Sequence, residues 1–132
     1  MTIKLSKEEK LDFFHRALCN GLGYIINYGI AYDYNAYEYE EARERLESIC
    51  HLEPILDEDI LRQILLDGNS IFFKDLDGNC DKAEITLKLV YENMGKVEAR
   101  HLFAMSEELD EVETADAILQ TIAYGKVQFG YN

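Results

Sequence analysis

Apolar residues recur along this chain in two rhythms. Leu11, Phe14, Leu18, Leu22 and Ile25 follow steps of three and four, which predicts one face of a helix. Ser6, with Glu9 three positions on, reads as the capping box that opens it. The stripe runs through Asn20-Gly21-Leu22-Gly23, so one long helix to about Tyr28 is expected. Its glycines cost helix stability and are read as permitting a close backbone approach. Asn35, with Glu38, caps a second helix whose buried face is Tyr39, Ala42, Leu46 and Ile49. Pro54, the single proline, marks the break that follows.

The middle third carries both rhythms. Ile60, Ile64 and Leu65 share a helical face behind Asp57, Glu58 and Asp59, acids that suit the positive end of a helix dipole. Gly68 closes that helix. Ser70 to Lys74 reads as a strand, and Ala83 to Leu89 as its return, with Ile85, Leu87 and Leu89 alternating with Glu84, Thr86 and Lys88. Asp75-Leu76-Asp77-Gly78-Asn79 is turn-forming sequence between them. Beyond it, 90–95 is a helical turn or loop, and Val97 to Met105 is helical. Thr114 opens a last helix with Ala115, Ile118, Leu119 and Ile122 inward, and 127–129 is a candidate closing strand. The predicted fold is α+β and mostly helical. Four to five helices pack on a small antiparallel sheet built on a hairpin of about 70–74 and 83–89, in a single domain over 1–132.

Charge changes the picture more than composition does. The apolar fraction of 48% is that of a folded chain, but the formal charge is −13. Phosphate backbones and anionic lipid surfaces are repelled by such a surface, so neither nucleic acid nor a membrane is an expected partner. Cys19, Cys50 and Cys80 are odd in number and form no CxxC, which suits reduced thiols and a cytoplasmic setting. No basic-then-apolar leader opens the chain, and no apolar run approaches ~18 residues.

Three groups carry candidate chemistry. Asp75, Asp77, Asn79 and Asp81 stand where a calcium loop has its positions 1, 3, 5 and 7. Cys80 replaces the required glycine, however, and Thr86 replaces the bidentate glutamate. The solvated hairpin turn is therefore the favoured reading, and no cofactor is expected. The run IFFKDLDGN also resembles the nucleophile motif of haloacid-dehalogenase-like phosphatases. Lys74 interrupts the apolar run, Asn79 stands in place of a threonine, and too little chain follows to complete that fold. Tyr24, Tyr28, Tyr32, Tyr34, Tyr37 and Tyr39 crowd one segment, and of these Tyr28, Tyr32, Tyr34 and Tyr37 are interface candidates. The alternative is core-edge packing. Cys50-His51, His15 and His101 form no readable ligand or catalytic set.

Several segments together suggest a family: Cys19 to Ile25, Tyr28-Gly29, Gln63 to Gly68, Arg100-His101-Leu102, Thr114-Ala115-Asp116, Ile118 to Thr121 and Phe129-Gly130. Across most of its length the chain resembles a group of small acidic proteins, of uncharacterised function, encoded by phages and mobile elements of gut bacteria. The resemblance implies an intracellular, phage-type setting and carries no site residues with it. The expected function is that of a non-catalytic accessory protein that binds another protein, with homo-oligomerisation open. The alternatives are a DNA mimic, with its carboxylates on the second helix and on the acidic run Glu107 to Glu113, and a small metal-dependent enzyme using Asp75, Asp77 and Asp81.

Overall fold

The computed structural model describes residues 4–49, 54–78, 81–109 and 111–129. The predicted Cys50-His51 pair, the turn residues Asn79 and Cys80, and Asp110 lie outside these. Six α-helices stand among the described residues: α1 (Lys7–Ile25), α2 (Ala36–Ile49), α3 (Asp57–Leu66), α4 (Leu87–Met94), α5 (Ala99–Ser106) and α6 (Val112–Tyr124). They pack on one antiparallel sheet of three strands, β1 (Ile30–Tyr34), β2 (Ile71–Asp75) and β3 (Ala83–Ile85), with β2 in the centre. The architecture is the expected α+β one, with more helices than the four to five read from the sequence.

Ser6 caps α1 as predicted. Its side chain accepts from the Glu9 amide at 3.1 Å, and Glu9 Oε1 accepts from the Ser6 amide at 3.0 Å. The helix ends at Ile25, short of Tyr28, and continues as a 3-10 turn over Ile26–Tyr28. Gly29 closes it with φ +77°, a conformation only glycine adopts cheaply. The next five residues form β1, a strand absent from the sequence reading. Its partner is β2, some forty residues on, in the register Ile30↔Asp75, Tyr32↔Phe73 and Tyr34↔Ile71. Ile30, Ile71, Phe73 and Ile85 share the covered face of the sheet and are buried. On the other face Asp33 pairs with Lys74 at 2.9 Å and Lys82 at 3.4 Å, and Lys82 lies over the Phe72 ring.

The expected strand 83–89 is half strand and half helix. It pairs only to Ile85, where Thr86 turns the chain and its hydroxyl accepts from the Leu89 amide at 3.1 Å. That is an N-cap, and α4 follows, with Val90 and Met94 buried on one face. Leu87 and Leu89 alternate as a strand would, but Leu87, Val90 and Met94 follow the steps of three and four that a helix uses.

The last helix is central and not one-faced. Every residue from Thr114 to Ile122 is buried, Asp116, Gln120 and Thr121 included. A helix enclosed on all sides needs partners for its polar groups. Buried Asn93 donates to the Ile122 carbonyl at 2.8 Å. Gln120 holds the chain beyond α6: its Oε1 accepts from the Gln128 and Phe129 amides at 2.8 and 2.7 Å, and its Nε2 donates to the Phe129 carbonyl at 3.1 Å. Residues 127–129 therefore form no strand. They run along a side chain that offers the backbone what a neighbouring strand would.

The main partner of α6 is α1. A Cβ on Gly21 would come within 2.8 Å of Leu119 Cδ1 and 3.1 Å of Ala115 Cβ, so this glycine permits the close approach the sequence suggested. Gly23 meets nothing within 4 Å and serves no such purpose.

Candidate functional site

The tyrosines were the first candidates, and the fold divides them. Tyr32 and Tyr34 lie on the covered face of β1, where α2 and α3 begin. Tyr34 stacks on Tyr39 of α2 with ring centroids 4.4 Å apart, and on Tyr32 at 6.3 Å. The hydroxyls of Tyr32 and Tyr39 both donate to Asp57, the first residue of α3, the Tyr39 bond measuring 2.6 Å. The hydrogen bond to Asp57 raises the Tyr32 phenol above its ordinary pKa, with burial and the same negative charge adding to it. For Tyr39 burial comes first and the Asp57 bond second. Each oxygen of Asp57 thus holds a neutral phenol, an arrangement that ties β1, α2 and α3 together. Hydrogen bonds to a charged group contribute about 1.5–3 kcal/mol when sheltered and less where, as at Tyr32, solvent reaches them. Tyr28 packs edge-on against Tyr24 and donates to its hydroxyl at 3.1 Å. Of the four interface candidates Tyr37 is 72% exposed and Tyr32 37%, while Tyr28 and Tyr34 are half-buried.

The hairpin turn is braced from one side. Asp75 Oδ1 accepts from the Asp77 amide at 3.0 Å, and the Leu76 amide donates to the Gly29 carbonyl at 2.7 Å. The Asp77 carboxylate lies against Gly29, where an added Cβ would meet its Oδ2 at 2.9 Å. Asp81 is exposed on the return, and Asn79 falls outside the described residues. Among the described residues, no three His, Cys, Asp or Glu side chains converge as a metal set.

The acids of α2 are interleaved with bases. Arg43 holds Glu40 at 2.6 Å and Glu47 at 3.3 Å, and Arg45 bridges to Asp67 at 3.2 Å. A duplex mimic needs a row of carboxylates free to meet a protein's cations. On this helix the row is broken by guanidinium groups.

Sequence reasoning missed a groove between α2 and α3. Its volume is about 350 Å³, and Leu46, Pro54, Ile55, Arg62, Gln63 and Leu66 line it together with Asp59. Asn35 caps α2 as predicted, its Oδ1 accepting from the Tyr37 and Glu38 amides at 3.0 and 3.1 Å. Asp59 accepts from the Leu56 amide at 3.1 Å and pairs with His15 Nε2 at 2.8 Å, which fixes α3 against α1. Ala42 alone of the predicted α2 face is fully buried. Tyr39 and Leu46 are half-buried, and Ile49, expected inside, is 72% exposed. Leu56 and Leu66 are also exposed. Arg62 reaches Asp12 at 3.5 Å through Nη2, while its buried Nε has no partner among the described residues. The visible signal was the length of the α2 stripe, whose last member exceeds what α3 can cover.

Cys19 is a free, exposed thiol whose pKa is raised by burial and by Glu58 and Asp59, the opposite of an activated nucleophile. His101 is buried, with Nδ1 3.3 Å from the Thr114 hydroxyl, and burial lowers its pKa. No described helix is long and apolar enough to cross a membrane. Comparison with family models, with curated proteins and with solved structures finds no match for this chain.

Proposed function

We propose that this protein is a non-catalytic binding factor that docks another protein, acting in the cytoplasm as an accessory of a phage or mobile element. The setting rests on the sequence resemblance and on an odd number of cysteines with no CxxC. The docking role rests on one observation, the groove between α2 and α3 with exposed Leu66 in its lining, while Ile49 at the end of α2 and Leu56 just before α3 are exposed as well. Scattered apolar side chains are ordinary on a surface, but several beside a formed groove are typical of contact sites. Asp57 already accepts from two phenols, one on each oxygen, which suits it to joining β1, α2 and α3.

The test is affinity capture from the native host with wild type and with Ile49→Ser/Leu66→Ser, alongside light scattering after size exclusion. Both side chains are exposed, so the variant should fold with an unchanged Tm. A partner, or a second copy, held by wild type and lost by the variant is the expected result. A strict monomer that captures nothing, or capture indifferent to both substitutions, would defeat the proposal.

A further inference from the structure

We infer that the corner joining α5 to α6 is a second docking surface, fitted to a basic amphipathic segment of a partner protein. This rests on the protein-binding reading but shares no residue with the α2–α3 groove. The corner begins as a helix stop. Glu108 takes φ +56°, its amide donates to the Met105 carbonyl at 3.2 Å, and the Leu109 amide donates to the Ala104 carbonyl at 2.8 Å. This pair of bonds is the Schellman arrangement, which folds the chain back over the final turn of the helix. It returns Leu109 to the turn that carries Phe103, and Val112 opens α6 three residues later. All three are open to solvent, Phe103 at 55%, Leu109 at 68% and Val112 at 42%.

The charge around them has one sign. Glu107, Glu108, Asp110, Glu111 and Glu113 fall within this stretch, and no lysine or arginine lies between Arg100 and Lys126. Glu107, Glu108, Glu111 and Glu113 form no ion pair among the described residues, unlike Glu40 and Glu47 on α2. Unpaired like charges repel one another, and a cationic partner relieves that repulsion. A bare cation would make no use of Phe103 or Leu109, and a nucleic acid would be repelled. An occupant with apolar side chains one helical turn apart and lysine or arginine on the flanks uses both features at once.

A synthetic helical peptide with leucine on one face and lysine on the other is the probe, titrated into the intact protein by calorimetry and by amide chemical-shift mapping. Amides of residues 103–113 should shift, and affinity should fall steeply as salt rises. Leu109→Ser and Phe103→Ser should each weaken binding at least about tenfold without lowering Tm, the ratio expected for a truncated apolar anchor. Glu111→Gln/Glu113→Gln should flatten the salt dependence. An all-lysine peptide that binds equally well would overturn the proposal, as would wild-type affinity in Leu109→Ser. Shifts confined to Ile49, Leu66 and their neighbours would overturn it while leaving the groove reading intact. Absence of binding would also overturn it, and the groove is then judged by its own variants.

Discussion

Replacing Gly21 and Gly23 with alanine, one at a time, should have unequal effects on stability. Both lie in α1, and both substitutions gain the same helix-propensity term, about 0.5–1 kcal/mol, because alanine loses less backbone freedom than glycine. At Gly23 nothing stands within 4 Å of the new methyl, so the gain is unopposed. At Gly21 the methyl meets Leu119 Cδ1 at 2.8 Å, Ala115 Cβ at 3.1 Å and the Ala115 carbonyl carbon at 3.3 Å. Leu119 can swing only within a filled core, since it is wholly buried, and the Ala115 atoms cannot move unless α6 does. Overpacking of this kind costs about 1–3 kcal/mol. The two variants should therefore differ by roughly 1–3 kcal/mol, with Gly23→Ala above wild type and Gly21→Ala at or below it. Urea unfolding followed by circular dichroism measures this directly. With a slope of about 1.5 kcal/mol/M, the midpoints should separate by roughly 0.7–2 M at constant slope. Two variants stabilised alike would refute the close approach of α1 and α6.

Two further perturbations test other parts of the fold. Glu108→Gly removes a left-handed non-glycine residue whose backbone costs about 1–2 kcal/mol, partly offset by glycine's freedom when unfolded, so Tm should rise by about 2–4 °C; a variant less stable than wild type would contradict the turn geometry. Asp116→Asn tests buried charge. The wild-type carboxyl is fully buried, Gln120 donates to Oδ1 at 2.7 Å, and Oδ2 has no partner among the described residues. Burial raises its pKa above the ordinary 3.8 against the opposing Gln120 bond, so the folded state holds the proton more tightly than the unfolded one. Stability from this group is therefore lost as pH rises from the unfolded value through the raised folded one. The asparagine variant should gain on wild type as pH rises above the ordinary carboxylate range, and urea midpoints that stay parallel over that rise would refute the assignment.

Much of the frame was legible from short-range chemistry. Ser6 with Glu9, Asn35, and the Asp-Gly turn each state a local geometry that the structure keeps. What escaped depends on distant partners. Ile30 to Tyr34 becomes a strand because β2 lies beside it, and nothing local distinguishes those tyrosines from an exposed cluster. Asp57 reads as a helix-start acid, and only folding brings Tyr32 and Tyr39 to it. Gln120 looks like a surface residue until the segment after α6 lies down against it. The end of β3 was misread for a different reason: Thr86 carried the cap signal, but the apolar alternation around it was equally good for a strand. At the candidate site the sequence named Tyr37 and the acidic run. The groove arises from the mismatch of two helices and has no residue signature of its own.

The pairing of α1 with α6 has a consequence for how the chain is made. The buried stripe of Phe14, Ala17 and Leu18 leaves the ribosome well before its main cover exists, because Ala115 and Leu119 lie roughly ninety to a hundred residues further along. At the usual pace of translation that interval is on the order of 5–20 seconds. Throughout it the nascent α1 can rest on the 3-10 turn and β1 that follow it and then on α3 and α4 as they arrive. Closure of the core is thus a late, end-to-end event, and a growing chain halted before α6 would present that greasy stripe to whatever chaperone or neighbour is at hand.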